Sequence, residues 1–372
     1  LPESERRALD ELKSLVMAAL KNHEFGGGEI PADLDGSVSI WGVKLMEDVR
    51  SDVILLKFLR ARDFKPYEAF AMMRSALKWR KDFGIDDLVG EEEKNLGREF
   101  EGAVFMYGRS REGSPVCYNV YGEFRDEELY RRTFSDEESR RKFLRWRIQF
   151  LERSIRKLDF SPGGISTIVQ VNDLKNSPGP NRWELRQATN QALHLLQDNY
   201  PEFVAKQIFI NVPWWYMAVS RMISPFLTQR SKNKFVVAAP AKSTQTLLNY
   251  ISAEQIPMDY GGLNESSSPS SNPATEIVLK PSAKHTVEFP VDEGGCVVSW
   301  EVRVVGGEAI YGAEFVPKAE NGYTVIIQKK MVTTKKKSVS DSYRVGEPGK
   351  VVFDVQNLSS KNKNILLYRF NV

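Results

Sequence analysis

Cysteine and histidine are scarce in this chain. Its 372 residues include two cysteines, Cys117 and Cys296, and three histidines, His23, His194 and His285. Two thiols cannot staple a chain of this length, which excludes a disulfide-built scaffold and fits a reducing compartment. The histidines stand far apart, and no zinc-ligand spacing occurs. Net charge is nearly absent as well: the formal value of +3 gives no whole-molecule attraction to nucleic acid or to a membrane. Any electrostatic partner must be met by a local patch, and nucleic acid is not expected among them. Long apolar runs are missing too, since none reaches the roughly 20 residues of a spanning helix. The charge-free stretch Gln207–Ser220 contains Pro213 and is too short to cross a bilayer. No signal peptide is visible, and a start at Leu1 rather than Met is expected of a fragment without its natural N-terminus.

Catalytic signatures are equally thin. There is no Gly-x-Ser-x-Gly elbow, no His-Glu-x-x-His and no Walker loop. Arg125 follows Cys117 at eight positions without Gly-rich backbone between them, so Cys117 reads as a buried strand cysteine. Asp159 and Asp173 have no evident catalytic partner, and Glu91-Glu92-Glu93 reads as a solvated face. Gly26-Gly27-Gly28 lacks the strand–loop–helix context of a phosphate cradle. The expectation is a protein that is not an enzyme and that carries no metal.

What is present is an ordinary globular composition, 41% hydrophobic and 27% charged, with length for two or three domains. Up to about Gly262 helical and strand patterns alternate. The Ser- and Pro-rich segment 264–273 then reads as a linker, and beyond it nearly everything is strand. The expected division is an N-terminal helix and loop (1–37), a helical segment (38–94), an α/β domain (95–263), the linker, and an all-β domain (274–372).

Helices are expected at Ser4–Asn22 and Asp52–Arg62, and from Pro66 to a C-terminal stop at Gly84. Ser135-Asp136-Glu137-Glu138 matches a capping box, stapled by Phe134, ahead of Leu144, Ile148, Leu151, Ile155 and Leu158. A helix over Arg182–Gln197 is expected to bury Leu185, Ala188, Ala192 and Leu195. Strand-like runs at Ala103–Tyr107, Pro115–Tyr121, Ile165–Val171, Gln207–Val212 and Lys234–Ala239 complete an α/β layer. About seven short strands punctuated by Gly306-Gly307, Asn321-Gly322 and Pro348-Gly349 predict an antiparallel sandwich of ~100 residues at the end.

The most informative stretch is Gln207–Lys234. After Pro213 a helix is expected from Trp214 to Ile223, with Trp214, Trp215, Met217, Met222 and Ile223 distributed almost all round it, followed by Phe226 and Leu227. An all-round apolar helix is either core or an element whose faces meet a cavity ligand and lipid. Arg230, Ser231, Lys232 and Lys234 follow directly, and Arg60-Ala61-Arg62 closes an earlier apolar helix. Such groups serve either as snorkelled surface charge or as an anionic-headgroup site. Lys329-Lys330 and Lys335-Lys336-Lys337 place five lysines within nine residues at a strand end and the loop after it. They form either a solvated hairpin tip or a contact with anionic lipid.

Ser51-Asp52-Val53-Ile54-Leu55-Leu56-Lys57-Phe58-Leu59-Arg60-Ala61-Arg62-Asp63-Phe64, then Trp79-Arg80-Lys81, resembles the helical cap of the CRAL-TRIO (Sec14-like) lipid-transfer family. Ile208-Phe209-Ile210-Asn211-Val212-Pro213 with Pro225-Phe226-Leu227 resembles that family's last core strands and gate helix, and Ile256-Pro257-Met258-Asp259-Tyr260-Gly261-Gly262 its closing motif. Val298-Ser299-Trp300-Glu301-Val302, Tyr323-Thr324-Val325 and Leu367-Tyr368-Arg369-Phe370 resemble a GOLD domain. Together with Ile40-Trp41-Gly42, this order is similar to the plant patellins.

The resemblance implies an α/β CRAL-TRIO lipid-binding domain with an N-terminal helical cap, followed by an all-β GOLD-type sandwich. It implies a phosphoinositide-binding lipid-transfer protein that holds one lipid, phosphatidylinositol or a phosphoinositide, behind a mobile gate, with no other cofactor. Arg62 matches the family's headgroup arginine, and Ser231 and Lys234, with Lys232 nearby, fit its Ser/Thr–Lys pair. Asp63 stands where the family often has lysine, so it would partly neutralise Arg62 and disfavour a polyanionic headgroup. A cytoplasmic location with peripheral membrane docking, protein partners through the GOLD domain, and roles in trafficking and cell-plate formation are implied in the same way. An adaptor that senses phosphoinositides without transferring them is the alternative.

Overall fold

A computed structural model describes residues 1–25, 38–90, 97–179, 182–214, 233–263, 272–334 and 338–372. The chain forms two compact units. One comprises Leu1–Phe105, Cys117–Gln207 and Leu227–Val236, and the other comprises Met106–Val116, Ile208–Phe226 and Val237–Val372.

The first unit opens with α1 (Glu3–Lys21), whose Leu9, Leu12 and Val16 recur every three or four residues and are buried. A two-strand ribbon follows, β1 (Ser39–Ile40) and β2 (Val43–Lys44). Its tip needs positive φ at both Trp41 (52°) and Gly42 (80°). The Trp41 side chain is buried against Phe58 and Phe203, with ring centroids 5.8 and 4.6 Å away. Next come α2 (Arg50–Ala61), α3 (Pro66–Phe83) and α4 (Ile85–Gly90). Pro66 opens α3 because its missing N–H is not needed in the first turn. Gly84 ends it in the left-handed region at φ 70°.

The α/β part contains β3 (Val104–Arg109), β4 (Pro115–Val120), α5 (Glu127–Phe134), α6 (Glu137–Ile155), β5 (Ile168–Asp173), α7 (Trp183–Asn199), β6 (Val204–Ile210), β7 (Phe235–Val237) and the short α8 (Ser243–Leu248). The five strands form one sheet in the order β3-β4-β5-β6-β7.

Three local expectations differ from the structure. The cap of α6 is Asp136, whose backbone is extended and whose carboxylate accepts from Ser139 N–H at 2.8 Å. Ser135 is the C-cap of α5 and keeps helical dihedrals, so it cannot cap the next helix. Leu158 falls beyond the end of α6. In α7 only Ala188 of the four expected apolar positions is buried; Leu185, Ala192 and Leu195 are half-buried.

In the second unit the C-terminal part has eight strands: β8 (Thr275–Leu279), β9 (Lys284–Val291), β10 (Val297–Val305), β11 (Glu308–Pro317), β12 (Val325–Thr333), β13 (Val339–Arg344), β14 (Gly349–Asn357) and β15 (Asn364–Asn371). They pair antiparallel in two sheets, β13-β10-β15-β8 and β12-β11-β14-β9. Trp300, Val302, Val304, Tyr311, Phe353 and Leu366 fill the space between them. The strand that sequence patterning missed is β13. Its run Val339-Ser340-Asp341-Ser342-Tyr343-Arg344 is too polar to read as strand, and it sits at a sheet edge, where only one neighbour supplies hydrogen bonds.

The same unit joins the sandwich to the closing segment of the α/β domain. Arg303 on β10 donates through Nη1 to the main-chain oxygens of Met258 (2.7 Å) and Gly262 (2.9 Å). Arg111 donates to Leu248 O (2.8 Å) and pairs with Glu276 at the start of β8 (2.6 Å). Among the described residues no helix is long and apolar enough to cross a membrane.

Candidate functional site

The apolar stripe of α2 buries Ile54, Leu55, Phe58 and Leu59. Lys57 shares that buried side and is 2% exposed. Its ammonium donates to the backbone oxygens of Ser166 (2.8 Å) and Glu202 (3.1 Å) and lies 4.2 Å from the Phe203 ring centroid. Burial pulls the Lys57 pKa down to about 7. The charges of Arg60 and Lys234 add to the fall, and that of Glu202 opposes it.

Glu202 turns the chain into β6 with a positive φ of 55°. Its carbonyl serves Lys57, and its carboxylate pairs with Lys234 at 2.9 Å, both side chains being partly buried. Lys206 donates to Asn233 O at 2.6 Å, which ties β6 to the residue before Lys234. One acidic residue thus gathers cations from α2 and from the approach to β7. Sequence reasoning selected Lys234 but missed Glu202 and Lys57. The available signal was a lone carboxylate between Tyr200-Pro201 and an apolar strand.

Arg62 is the C-cap of α2 and is half-buried. Its guanidinium donates to Ala61 O at 3.0 Å and takes no part in the Glu202 cluster. Asp63 is exposed in the left-handed region (φ 48°), and no ion pair joins it to Arg62 among the described residues. The expected local neutralisation of Arg62 therefore has no direct contact behind it.

At the start of the segment expected to form a gate, Trp214 follows buried Val212 and half-buried Pro213 and is 83% exposed. A bare indole at that position suits a surface that meets something apolar. Trp215, Met217, Met222, Ile223, Phe226, Leu227, Ser231 and Lys232 lie outside the described residues, as do Lys335, Lys336 and Lys337.

The remaining lysines sit differently from expectation. Lys329 and Lys330 lie inside β12 rather than at a strand end. Lys330 is paired with Asp341 at 2.9 Å, so its charge is already met, whereas Lys329 is exposed. Beside them Ile326 and Met331 are 75% and 52% exposed along the same edge strand, and Tyr323, just before it, is 89% exposed.

Comparison with known proteins bears on all of these elements. Residues 8–75 match the CRAL/TRIO N-terminal domain, 99–262 the CRAL/TRIO domain, and 280–363 the Patellin-1-like C-terminal GOLD domain. Patellin-5 and Patellin-3 of Arabidopsis thaliana are 56% and 55% identical over 100% of this chain. The match covers 54% of Patellin-5 and 75% of Patellin-3, so the chain spans about half the length of the former. Phosphatidylinositol transfer protein SFH5 of Cryptococcus neoformans var. neoformans serotype D is 31% identical over 61% of this chain and 80% of its own length. The crystal structure of Sfh5 shares the fold, with a TM-score of 0.54 at 21% identity over 72% of this chain and 90% of that one.

Proposed function

This chain belongs to the patellin family, and from that premise we propose that it is a Sec14-like lipid carrier, holding one phosphoinositide or similar phospholipid and exchanging it with membranes on which it docks peripherally. The observation that carries the headgroup part is the pairing of Lys234 with the Glu202 carboxylate, beside the buried Lys57 on the Glu202 carbonyl and the nearby charge of Arg60. Basic groups gathered round an acidic residue attract an anionic headgroup, and the acid limits non-selective binding while the site is unfilled. Arg62, at the end of the same helix, adds a further cation, with Ser231 and Lys232 as candidates beside Lys234. The likeness to the phosphatidylinositol transfer protein SFH5 supports phosphatidylinositol as the first lipid to test.

No bond is made in this mechanism. Each buried methylene of an acyl chain gains ~0.8 kcal/mol over water, so a sheltered lipid leaves only when a bilayer is there to receive it. Trp214, Trp215, Met217, Met222, Ile223, Phe226 and Leu227 would line the gate or enter the membrane interface. Anionic lipid would also meet Lys329 and Lys335–Lys337 on the sandwich. In the cell, this activity would serve membrane trafficking of the kind that builds the cell plate.

Mass spectrometry of lipid released from the purified chain, followed by transfer of labelled phosphatidylinositol between vesicles, tests the proposal. Co-purified phospholipid and transfer that is lost in an Arg62→Ala/Lys234→Ala variant of unchanged melting temperature are expected. Vesicle binding without extraction or transfer would leave only a lipid-sensing adaptor.

A further inference from the structure

A second group of polar side chains lies inside the first unit, on elements other than those that gather at Glu202. Arg147 projects from α6 toward the sheet, where its Nη2 donates to Asn119 Oδ1 on β4 at 3.2 Å. Asn119 Nδ2 in turn donates to Asn172 Oδ1 on β5 at 3.1 Å. Both asparagines are more than nine-tenths buried, at 9% and 5% exposure.

The direction of this relay is forced. A guanidinium has donors only, so Asn119 must present its oxygen to Arg147 and its N–H group to Asn172. Asn172 must then turn its oxygen toward Asn119, which leaves its own N–H group at the far end. Flipping either amide would set N–H against N–H. Both ends of the relay are consequently donors: Arg147 Nη1 and Asn172 Nδ2 are buried, and neither has an acceptor among the described residues.

No carboxylate pairs with Arg147 among the described residues. Its guanidinium also meets the sulfur of Cys117, but that thiol stays neutral because burial raises its pKa more than Arg147 lowers it, so no negative charge answers the arginine. A half-buried cation whose Nη1 is buried, in a locked relay that ends in a second buried donor, asks for a group that is anionic and only accepts.

We infer that Arg147 and Asn172 form an internal oxyanion subsite that takes the phosphodiester of a bound phospholipid, with Asn119 as the residue that orients both. A phosphodiester supplies several acceptor oxygens and one negative charge, whereas a hydroxyl or ester oxygen supplies no charge. The lipid as source rests on the carrier function proposed above; a free phosphate would satisfy the same chemistry.

The test uses the full chain loaded from vesicles carrying either pyrene-labelled phosphatidylinositol or pyrene-labelled diacylglycerol of the same chains. Arg147→Met is expected to lower phosphatidylinositol loading tenfold or more and diacylglycerol loading less than twofold, because only the former carries the phosphodiester. Asn172→Asp, which sets a negative charge at the other end, is expected to do the same. Arg147→Lys keeps the charge and should recover part of the loss. Equal losses for both lipids, or no loss for either, would overturn the subsite and leave lipid carriage standing. If the unaltered chain loads neither lipid, carriage fails and inorganic phosphate decides the subsite. A melting temperature raised by phosphate in the unaltered chain but not in Arg147→Met supports an anion site for free phosphate, and no rise in either overturns it.

Discussion

Arg80 and Glu152 form a buried bidentate ion pair between α3 and α6, at 2.6 and 2.9 Å, and Tyr200 adds a hydrogen bond of 2.7 Å to the same carboxylate. Their exposures are 7% and 0%, so either charge left alone would sit in a medium that cannot solvate it. Glu152→Gln is expected to destabilise the fold by about 3 kcal/mol, measured by urea unfolding. A loss below ~1 kcal/mol would mean that the surroundings relax to let water reach Arg80.

Lys57 gives the protein a pH signature. Its pKa falls to about 7 in the folded state, against about 10.4 in an unfolded chain. The folded state therefore holds fewer protons between these values, and stability rises with pH across that window. The cost of burying the charge is full below pH 7 and is relieved as pH climbs toward 10. Relative to Lys57→Met, the unaltered chain should gain up to about 2 kcal/mol between pH 7 and pH 9, read from denaturant midpoints at each pH. A difference independent of pH would show that Lys57 titrates at its ordinary value.

Removing the carboxylate of Glu202 should unmask the cations around it. Glu202→Gln is expected to bind phosphatidylinositol vesicles severalfold more tightly in 20 mM salt. The gain should shrink in 500 mM salt, where the Debye length falls well below 10 Å. Unchanged binding at low salt would place headgroup recognition away from Lys234.

The exposed edge of β12 combines Lys329 with Ile326 and Met331. Lys329→Glu together with Ile326→Ser should weaken binding to phosphatidylserine-containing vesicles, with little effect on phosphatidylcholine vesicles. Equal binding by the variant would remove this edge from the membrane contact.

Arg303 couples the sandwich to residues 258–262 through two main-chain oxygens. Arg303→Met should cost about 2–3 kcal/mol, since charged hydrogen bonds to buried carbonyls are lost without replacement. Calorimetry should then show separate transitions in place of the single one expected of the unaltered chain. A single unshifted transition would contradict the coupling.

Periodicity and punctuation were enough to locate most elements, because helix faces, proline and glycine stops and strand alternation are local properties. Leu9, Leu12 and Val16 mark the buried side of α1, and Gly84 ends α3 for a reason written in its own lack of a Cβ. Polar β13 was illegible because edge pairing with β10, rather than its own residues, makes it a strand. The site was legible only in part. Lys234 and Arg62 could be picked out as basic residues near apolar segments. That Lys234 meets Glu202, that Lys57 is buried beneath the same residue, and that Arg62 turns back to Ala61 depend on where distant segments come together. Hydrogen bonds and ion pairs join residues such as Lys57 and Glu202, 145 positions apart, and no local pattern encodes such a meeting. The sequence by itself determined most of the elements and the family; the expected linker lies almost wholly outside the described residues. Tertiary packing alone decided which charges are answered, as with Arg80 against Glu152, and which buried donors, like Arg147 Nη1, have no acceptor among the described residues, because both depend on segments far apart in the chain.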